Sequence, residues 1–271
     1  MIKQAIIPLA GLGTRLLPLT SVFAKELLPI NGRPGIEYIL DECIEAGIKE
    51  IIFIISNKKL MIKKYFYSDK FYKNIIKKKK DPRIINDYKK ILKYRNKIKF
   101  VFQNIPKGTG DAALKSQKYI KNKYFLMLLP DDLIIKKNCS KAMIKVHKKY
   151  QASVMASMKV KKNNVSRWGI YKINKKLNKR NYIIDGVVEK PSAKKAPSNN
   201  AVIGRYILPR SIFNKIKSLK TKRGKEIHIT DAIQLLINDK EKFIAHNFEG
   251  KYLDCGTMNG YINSFIEMGK S

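Results

Sequence analysis

The hydrophobic pattern of the first sixty residues predicts a strand, a helix and a second strand. The apolar run 5–10 predicts the first strand, and apolar residues spaced three and four apart over 36–44 predict a helix that Gly47 ends. The β-branched and aromatic run 51–55 predicts a strand that helices cover on both faces. This order of elements indicates a βαβ unit.

A lysine- and tyrosine-rich stretch, residues 57–96, is predicted to be a helical insertion between two strands of the same sheet. Its apolar residues are enough to dock it on the core and hardly enough for it to fold alone. Strand patterns return at 99–102 and 124–129, with a helix predicted near 111–121. The second strand leads directly to Asp131, at the sheet edge where open α/β proteins bind ligands.

The rest of the chain predicts shorter strands separated by polar linkers, with helices towards the end. Predicted strands cover 153–160, 169–173, 183–188, 201–208 and 243–248. Predicted helices cover 211–218, 230–238 and 258–268. A mixed sheet is therefore expected in this half.

The formal net charge of +36 would favour a nucleic-acid or anionic-membrane partner if it stood alone. However, the lysines are spread over the whole chain and accompany an excess of Ile, Asn and Tyr, which also have A/T-rich codons. Biased base composition explains this pattern, so neither nucleic acid nor membrane is expected as a partner. A positive surface would still attract phosphorylated substrates.

The cysteines and histidines give no sign of a metal centre or of disulfides. Cys43, Cys139 and Cys255 are odd in number, widely separated and in no metal-binding spacing, which is typical of reduced thiols. The three histidines are scattered, so zinc binding and histidine-based catalysis are not expected. No signal peptide or transmembrane pattern is seen, and a cytoplasmic location is expected.

A glycine-rich turn follows the first predicted strand. Residues 9–18 read Leu-Ala-Gly-Leu-Gly-Thr-Arg-Leu-Leu-Pro, and residues 25–29 read Lys-Glu-Leu-Leu-Pro. Glycines let backbone N–H groups approach phosphate oxygens, while Arg15 and Lys25 can neutralise a triphosphate. The turn lacks the Gly-Lys-Ser/Thr of a Walker loop, and Leu16 stands where a dinucleotide fingerprint needs a third glycine. It therefore predicts a phosphate site of another type.

These two motifs resemble the N-terminal region of the bacterial UTP:glucose-1-phosphate uridylyltransferases, and the resemblance covers essentially the whole chain. Further motifs recur in the order of that family. They are Gln103 with 107–112 (Lys-Gly-Thr-Gly-Asp-Ala), 129–131 (Leu-Pro-Asp), 188–191 (Val-Glu-Lys-Pro), 198–199 (Ser-Asn), 203–206 (Ile-Gly-Arg-Tyr), 229–232 (Ile-Thr-Asp-Ala) and 254–256 (Asp-Cys-Gly).

The resemblance implies a Rossmann-like three-layer α/β sandwich with a mixed, mostly parallel central sheet and a small sugar-side lobe. One domain would span 1–271, with a nucleotide-binding half at 1–150 and a sugar-binding half with C-terminal helices at 151–271. The implied reaction is magnesium-assisted transfer of a uridylyl group from UTP to α-D-glucose 1-phosphate. UDP-glucose and pyrophosphate would form without a covalent intermediate, in a homodimer or homotetramer.

The resemblance also implies a role for each residue of the site. The implied catalytic residues are Arg15, Lys25 and Lys190. The implied nucleotide-binding residues are Ala10, Gly11, Gly13, Thr14, Gln103 and Gly108, of which the last two would read the uracil edge. The implied sugar-binding residues are Gly169, Glu189 and Gly204. The implied magnesium ligands are Asp131 and Asp254, since hard carboxylate oxygens suit this ion; Asp132 is expected to be a solvated or loop-capping acid.

Three alternatives remain at this point. A glucose-1-phosphate thymidylyltransferase using dTTP would share the motifs, because base and ribose selectivity cannot be derived from spacing. A nicotinamide-dependent dehydrogenase would need an acid after its second strand, where Ser56 and Asn57 stand instead. A basic nucleic-acid-binding protein would need a lysine-rich face with stacking aromatic residues and would bind with a steep salt dependence.

Overall fold

The computed structural model describes residues 1–219 and 226–270, and its strands and helices follow one another in largely alternating order. The strands are β1 Gln4–Pro8, β2 Pro29–Ile30, β3 Arg33–Pro34, β4 Glu50–Ile55, β5 Ile98–Phe102, β6 Tyr124–Leu128, β7 Asp132–Ile135, β8 Ser153–Lys159, β9 Gly169–Lys176, β10 Asn181–Glu189, β11 Asn200–Pro209, β12 Phe243–Asn247 and β13 Lys251–Asp254. The helices are α1 Gly35–Glu45, α2 Leu60–Phe66, α3 Asp69–Lys79, α4 Pro82–Arg95, α5 Gly108–Lys115, α6 Cys139–Tyr150, α7 Ile212–Ser218, α8 Ile229–Asn238 and α9 Met258–Gly269.

A nine-stranded sheet runs through the molecule in the order β5-β4-β1-β6-β11-β8-β12-β10-β9. Strands β5, β4, β1 and β6 are parallel, as the βαβ pattern predicts. Strand β11 is antiparallel to both β6 and β8, and β12 returns parallel to β8. The predicted mixed α/β sheet is therefore confirmed, with parallel pairing concentrated in the first half of the chain.

Helices cover both faces of this sheet, which explains why its central strands are apolar throughout. Residues 51–55 are fully buried, and their alternate side chains enter two separate hydrophobic cores. One core includes residues of α1, α2, α4 and α6, and the other includes residues of α5, α7 and α8. The three-layer arrangement predicted from the sequence is thus confirmed. None of the described helices has the length and hydrophobicity that a bilayer span requires.

The inserted segment forms three helices, α2 to α4, that dock through few residues. Ile62, Phe66, Ile91 and Tyr94 enter the core, whereas α3 buries none of its residues. The Tyr94 hydroxyl donates to Asp41 Oδ1 of α1 at 2.6 Å, which adds a polar link to the apolar docking. This small buried area agrees with an insertion that depends on the sheet for its stability.

Helix α6 and the pairing of β7 with β13 were not predicted from the sequence. Helix α6 follows Asn138, whose Oδ1 accepts from Lys141 N at 2.8 Å as an N-cap, a signal that the local sequence does contain. The antiparallel pair of β7 and β13 is formed by residues about 120 positions apart, with Asp254 opposite Asp132. This pairing brings the segment after β6 next to the segment before α9.

The sheet also contains a histidine that should make stability depend on pH. His246 on β12 is buried, and its Nδ1 lies 2.8 Å from Asn181 Oδ1. Burial and then the charge of Arg180 lower the pKa of His246 from 6.5 to about 4. The folded state therefore keeps His246 neutral at pH values where the unfolded chain takes up a proton.

We expect the free energy of unfolding to fall as the pH decreases from 6.5 to 4, with His246 contributing up to about 3 kcal/mol of that loss. Urea unfolding at a series of pH values measures it. A His246→Asn variant should lose less stability over this interval than the wild type. His228→Asn, at an exposed position, should match the wild-type slope. Parallel curves for wild type and His246→Asn would contradict this prediction.

Candidate active site

The carboxyl ends of β1, β5 and β6 surround a cavity of about 300 Å³. Ile54 accepts the hydrogen bond of Leu9 N at 2.7 Å, where β1 gives way to the glycine-rich turn. The predicted site residues that line this cavity are Ala10, Gly11, Arg15, Lys25, Gln103, Gly108 and Asp131. Gly13 and Thr14 belong to the same turn but do not line the cavity.

The turn after β1 is shaped by Gly13, which has a φ of +72° and precedes a short 3₁₀ helix, Thr14–Leu16. Thr20 Oγ1 donates to Gly13 O at 2.8 Å, and a Cβ at Gly13 would lie 3.1 Å from Thr20 Cγ2. Glycine is therefore required here for the backbone conformation and the close approach of Thr20. The result is a turn that presents Arg15, whose side chain is 63% exposed, beside the cavity.

Asp131 is the point where the charged residues of the cavity meet. Lys25 Nζ lies 2.8 Å and Arg15 Nη2 lies 3.4 Å from Asp131 Oδ2. Burial disfavours the ionised form of Asp131, but the charge and hydrogen bond of Lys25 hold its pKa below the usual value. Burial likewise opposes the charge of Lys25, but Asp131 and Glu26 together more than offset it, so that the Lys25 pKa is raised. Both groups are thus charged at neutral pH.

Asp254 approaches the same point from β13. Cys255 N donates to Asp131 O at 2.8 Å, which ties the two segments together. A Cβ at Gly256 would lie 2.8 Å from Asp131 Oδ2, 2.9 Å from Arg15 Nη2 and 3.3 Å from Asp254 Oδ1. Both carboxylates and the guanidinium therefore converge on a space that glycine leaves open.

The carboxylates of Asp131 and Asp254 fit a magnesium ion that takes its other ligands from water and substrate better than they fit a metal bound by protein side chains alone. No group of three or more His, Cys, Asp or Glu side chains suited to a metal occurs among the described residues. Magnesium is commonly held by one or two carboxylates, with water and substrate phosphates as its other ligands. Asp131 and Asp254 could provide such a pair.

Gln103 lies buried at the end of β5 with its amide oriented by the protein. Its Nε2 donates to Asp111 Oδ2 at 2.7 Å and to Gly108 O at 3.3 Å. Gly108 has a φ of +91°, and a Cβ there would lie 2.4 Å from Ile227 O. Gln103 Oε1 accepts no hydrogen bond from residues 1–219 or 226–270, so it is available to a ligand in the cavity.

The predicted sugar-binding residues and the predicted catalytic residue Lys190 lie outside this cavity. Glu189 is the last residue of β10 and Lys190 follows it; both side chains are exposed, and Lys190 Nζ lies 3.9 Å from Glu189 Oε1. Lys190 has a φ of +44°, which interrupts the strand alternation that would send adjacent side chains to opposite faces. A Cβ at Gly169 would lie 3.1 Å from Glu189 Oε2, so Gly169 and Glu189 are neighbours.

Gly204 on β11 and Asp132, the residue after Asp131, are joined by a hydrogen bond. Gly204 N donates to Asp132 Oδ2 at 2.8 Å, and Tyr252 Oη donates to Asp132 Oδ1 at 2.7 Å. Burial and the charge of Asp131 raise the pKa of Asp132 to about 6. The expectation that Asp132 is a solvated or loop-capping acid is therefore wrong, because the pairing of β7 with β13 places it under Tyr252.

The start of α8 is capped by a residue of another helix. The helix begins at Ile229, and Thr109 Oγ1 of α5 accepts from Ile229 N at 3.1 Å. The cap therefore comes from a neighbouring helix, which no local pattern could show.

A second cavity, of about 710 Å³, is lined in part by Asp254. Arg167 lines it, with its guanidinium 4.8 Å from the Trp168 ring and Nη2 3.6 Å from Asp254 Oδ2. Sequence analysis did not identify Arg167 as a site residue, although it directly precedes Trp168 and the predicted sugar-binding Gly169.

Comparisons with known proteins indicate a nucleotidyl transferase over nearly the whole chain. The model of the nucleotidyl transferase family matches residues 4–270. The UTP–glucose-1-phosphate uridylyltransferase of Mycoplasma pneumoniae is 36% identical over 265 residues, which cover 97% of this chain and 91% of that protein.

Solved structures show the same likeness. A UDP-glucose pyrophosphorylase complexed with UDP-glucose has a TM-score of 0.87 at 35% identity, covering 100% of this chain and 99% of the other. The UTP-bound UGPase of Acinetobacter baumannii has a TM-score of 0.91 at 32% identity, covering 99% and 94%. Because sequence and fold agree over nearly all residues, this protein belongs to the nucleotidyl transferase family.

Proposed function

We propose that this protein transfers a uridylyl group from UTP to α-D-glucose 1-phosphate, forming UDP-glucose and releasing pyrophosphate. The observation that carries this proposal is the convergence of Arg15, Lys25, Asp131 and Asp254 beside a cavity that contains the oriented amide of Gln103. The likeness to a uridylyltransferase over 97% of the chain supports the choice of substrates.

The reaction needs charge neutralisation and alignment more than a covalent catalyst. A phosphate oxygen of glucose 1-phosphate forms a bond to the α-phosphorus of UTP, while the bond from that phosphorus to the bridging oxygen breaks. The electron pair leaves with pyrophosphate. Lys25, mostly buried, neutralises the triphosphate strongly in its low-dielectric surroundings, and Arg15 can follow the departing phosphates from its exposed position.

Gln103 can give the cavity its selectivity for a base with an N3–H group, such as uracil, over cytosine. Its free Oε1 can accept from the N3–H group of uracil, while Asp111 and Gly108 hold Nε2 in place. Thymine presents the same edge, so this contact does not separate UTP from dTTP. Ala10 and Gly11, which line the cavity, allow the nucleotide to lie against the backbone.

Asp131 and Asp254 would hold a magnesium ion. When bound, the ion supplies Lewis-acid neutralisation of the substrate phosphates. On the sugar side, Glu189 can accept hydrogen bonds from glucose hydroxyls beside Gly169, and Lys190 can bind the phosphate of glucose 1-phosphate.

We further propose a cytoplasmic location and a homo-oligomeric assembly. The three buried free cysteines support a reducing compartment. Exposed apolar side chains on α9, namely Ile262, Phe265 and Ile266, support self-association.

The substrates can be tested by following pyrophosphate release with UTP or dTTP and several sugar 1-phosphates. We expect UTP with glucose 1-phosphate to give the highest kcat/KM, because the chain is 36% identical to a uridylyltransferase over 97% of its length. A preference for dTTP would instead assign the thymidylyltransferase activity. No release with any pair would contradict nucleotidyl transfer to sugar phosphates.

The metal site can be tested with Asp131→Asn and Asp254→Asn, which remove charge at nearly constant volume. Each should raise the magnesium concentration for half-maximal activity by at least about tenfold, because each removes a hard anionic ligand. Mn²⁺ binding in the presence of UTP, measured by electron paramagnetic resonance, should weaken in parallel. Asp87→Asn, an exposed carboxylate of the insertion, is the matched control. Unchanged magnesium dependence in both variants would exclude these ligands.

The role of Lys190 can be tested with Lys190→Ala, using Lys194→Ala as an exposed control from the following loop. Loss of the phosphate contact should raise the KM for glucose 1-phosphate by at least about tenfold and change the Kd for UTP less than about threefold. Initial rates and an equilibrium UTP titration measure the two constants. A larger effect on UTP binding would place Lys190 on the nucleotide instead.

A further inference from the structure

Arg205 on β11 is fully buried and paired with Glu42 of α1. Its Nε lies 3.1 and 3.0 Å from Glu42 Oε1 and Oε2, and its Nη2 lies 2.9 Å from Oε2. Ser140 N also donates to Glu42 Oε1 at 3.1 Å. The guanidinium is therefore fixed in orientation by a carboxylate that is itself fixed between two helices.

The remaining N–H groups of Arg205 reach the turn that carries Asp131. Nη1 donates to Leu129 O at 3.1 Å and to Gly204 O at 3.0 Å, and Nη2 donates to Asp132 O at 2.6 Å. All five N–H donors of the guanidinium are thus used. Two of the accepting carbonyl groups stand on either side of the Pro130–Asp131 step.

Stability alone does not explain this arrangement. Removing a buried arginine and glutamate from water is costly, and a well-packed apolar pair of similar volume is often as stable or more stable. What an apolar pair cannot do is bond carbonyl groups on both sides of a turn. A lysine cannot do so either, because it lacks the planar fork of donors.

We propose that Arg205, oriented by Glu42, is a positioning residue that fixes the backbone beneath Asp131 and thereby the place of its carboxylate between Lys25 and Asp254. This inference rests on the proposed function, since it names the support for that reaction's charged centre. Arg205 touches no substrate in this role. It acts through the Leu129 and Asp132 carbonyl groups.

The demand on Asp131 explains why such support matters. Its Oδ2 must stay close to Lys25 and Arg15 and also face the space beside Gly256. Displacements of about 1 Å in a catalytic arrangement can reduce rates by about a hundredfold. A turn held only by apolar packing would allow such displacements.

The decisive variant is the double substitution Glu42→Leu with Arg205→Met, which removes both charges together. We expect a folded protein with a midpoint of thermal unfolding below that of the wild type, because Ser140 N and the carbonyl groups of Leu129 and Asp132 lose a hydrogen-bond partner. Activity is therefore measured below that midpoint. The kcat of this variant should fall at least about thirtyfold, and its half-saturating magnesium concentration should rise. The KM for UTP should change less than about threefold, because Gln103 and Gly11 are untouched.

Two further variants make the result interpretable. Arg205→Lys keeps the charge opposite Glu42 and should show the same loss of kcat and the same rise in magnesium requirement. Phe213→Leu, in the core on the opposite face of the sheet, lowers stability and should keep wild-type kcat and magnesium dependence below its unfolding temperature. Lost stability by itself then does not account for lost turnover.

Wild-type kcat and magnesium dependence in a folded double variant would overturn the positioning role. If the double variant does not fold, the same finding in Arg205→Lys would overturn it. Mn²⁺ affinity in the presence of UTP, measured by electron paramagnetic resonance, separates the two proposals. An inactive wild type would contradict the proposed function, while weaker Mn²⁺ binding by Arg205→Lys would still support positioning and unchanged binding would refute it.

Discussion

The ion pair between Lys25 and Asp131 is the interaction on which the site depends. An ammonium group and a carboxylate can both remain charged in this mostly buried place only because each compensates the other. In the proposed reaction, Lys25 would be shared between Asp131 and the triphosphate, and Asp131 would also be a candidate ligand of a divalent cation. Because Lys25 and Asp131 already neutralise each other, neither of these charges is left unpaired before substrates bind.

The parts of this site that could be predicted from sequence are those that depend on residues close together in the chain. The run 51–55 is apolar on both faces because helices cover both faces, and the glycine-rich turn needs its glycines for local backbone reasons. The environment of Asp132 could not be predicted in this way. It depends on β7 meeting β13 across about 120 residues, and short strands with charged ends carry no local signal of their partner. Arg205 is similar, since a single arginine in an apolar strand does not reveal which carbonyl groups it will reach.

Charged residues are arranged differently on the surface and in the interior of the protein. A net charge of +36 resides mainly on exposed lysines, whereas the buried ionic groups occur as matched pairs, among them Lys59 with Glu26 and Arg205 with Glu42. Exposed charges repel one another weakly in water and are screened by salt, so a biased composition is tolerated there. Unpaired charges in the interior would cost far more. This difference explains how the lysine content can be so high while the arrangement around Asp131 stays balanced, and the surplus attracts anionic substrates.

Glycine is needed for different physical reasons at different positions of the motifs that resemble the uridylyltransferases. A Cβ at Gly108 would come within 2.4 Å of Ile227 O, and one at Gly204 within 2.5 Å of Asp132 Oδ2, so both are required by contacts within the protein. At Gly11, by contrast, a Cβ would meet no described atom within 4 Å, although this residue lines the cavity. Packing and backbone conformation give no reason for glycine at that position. The proposed nucleotide site gives such a reason, because a nucleotide lying against the backbone would need the open space beside Gly11.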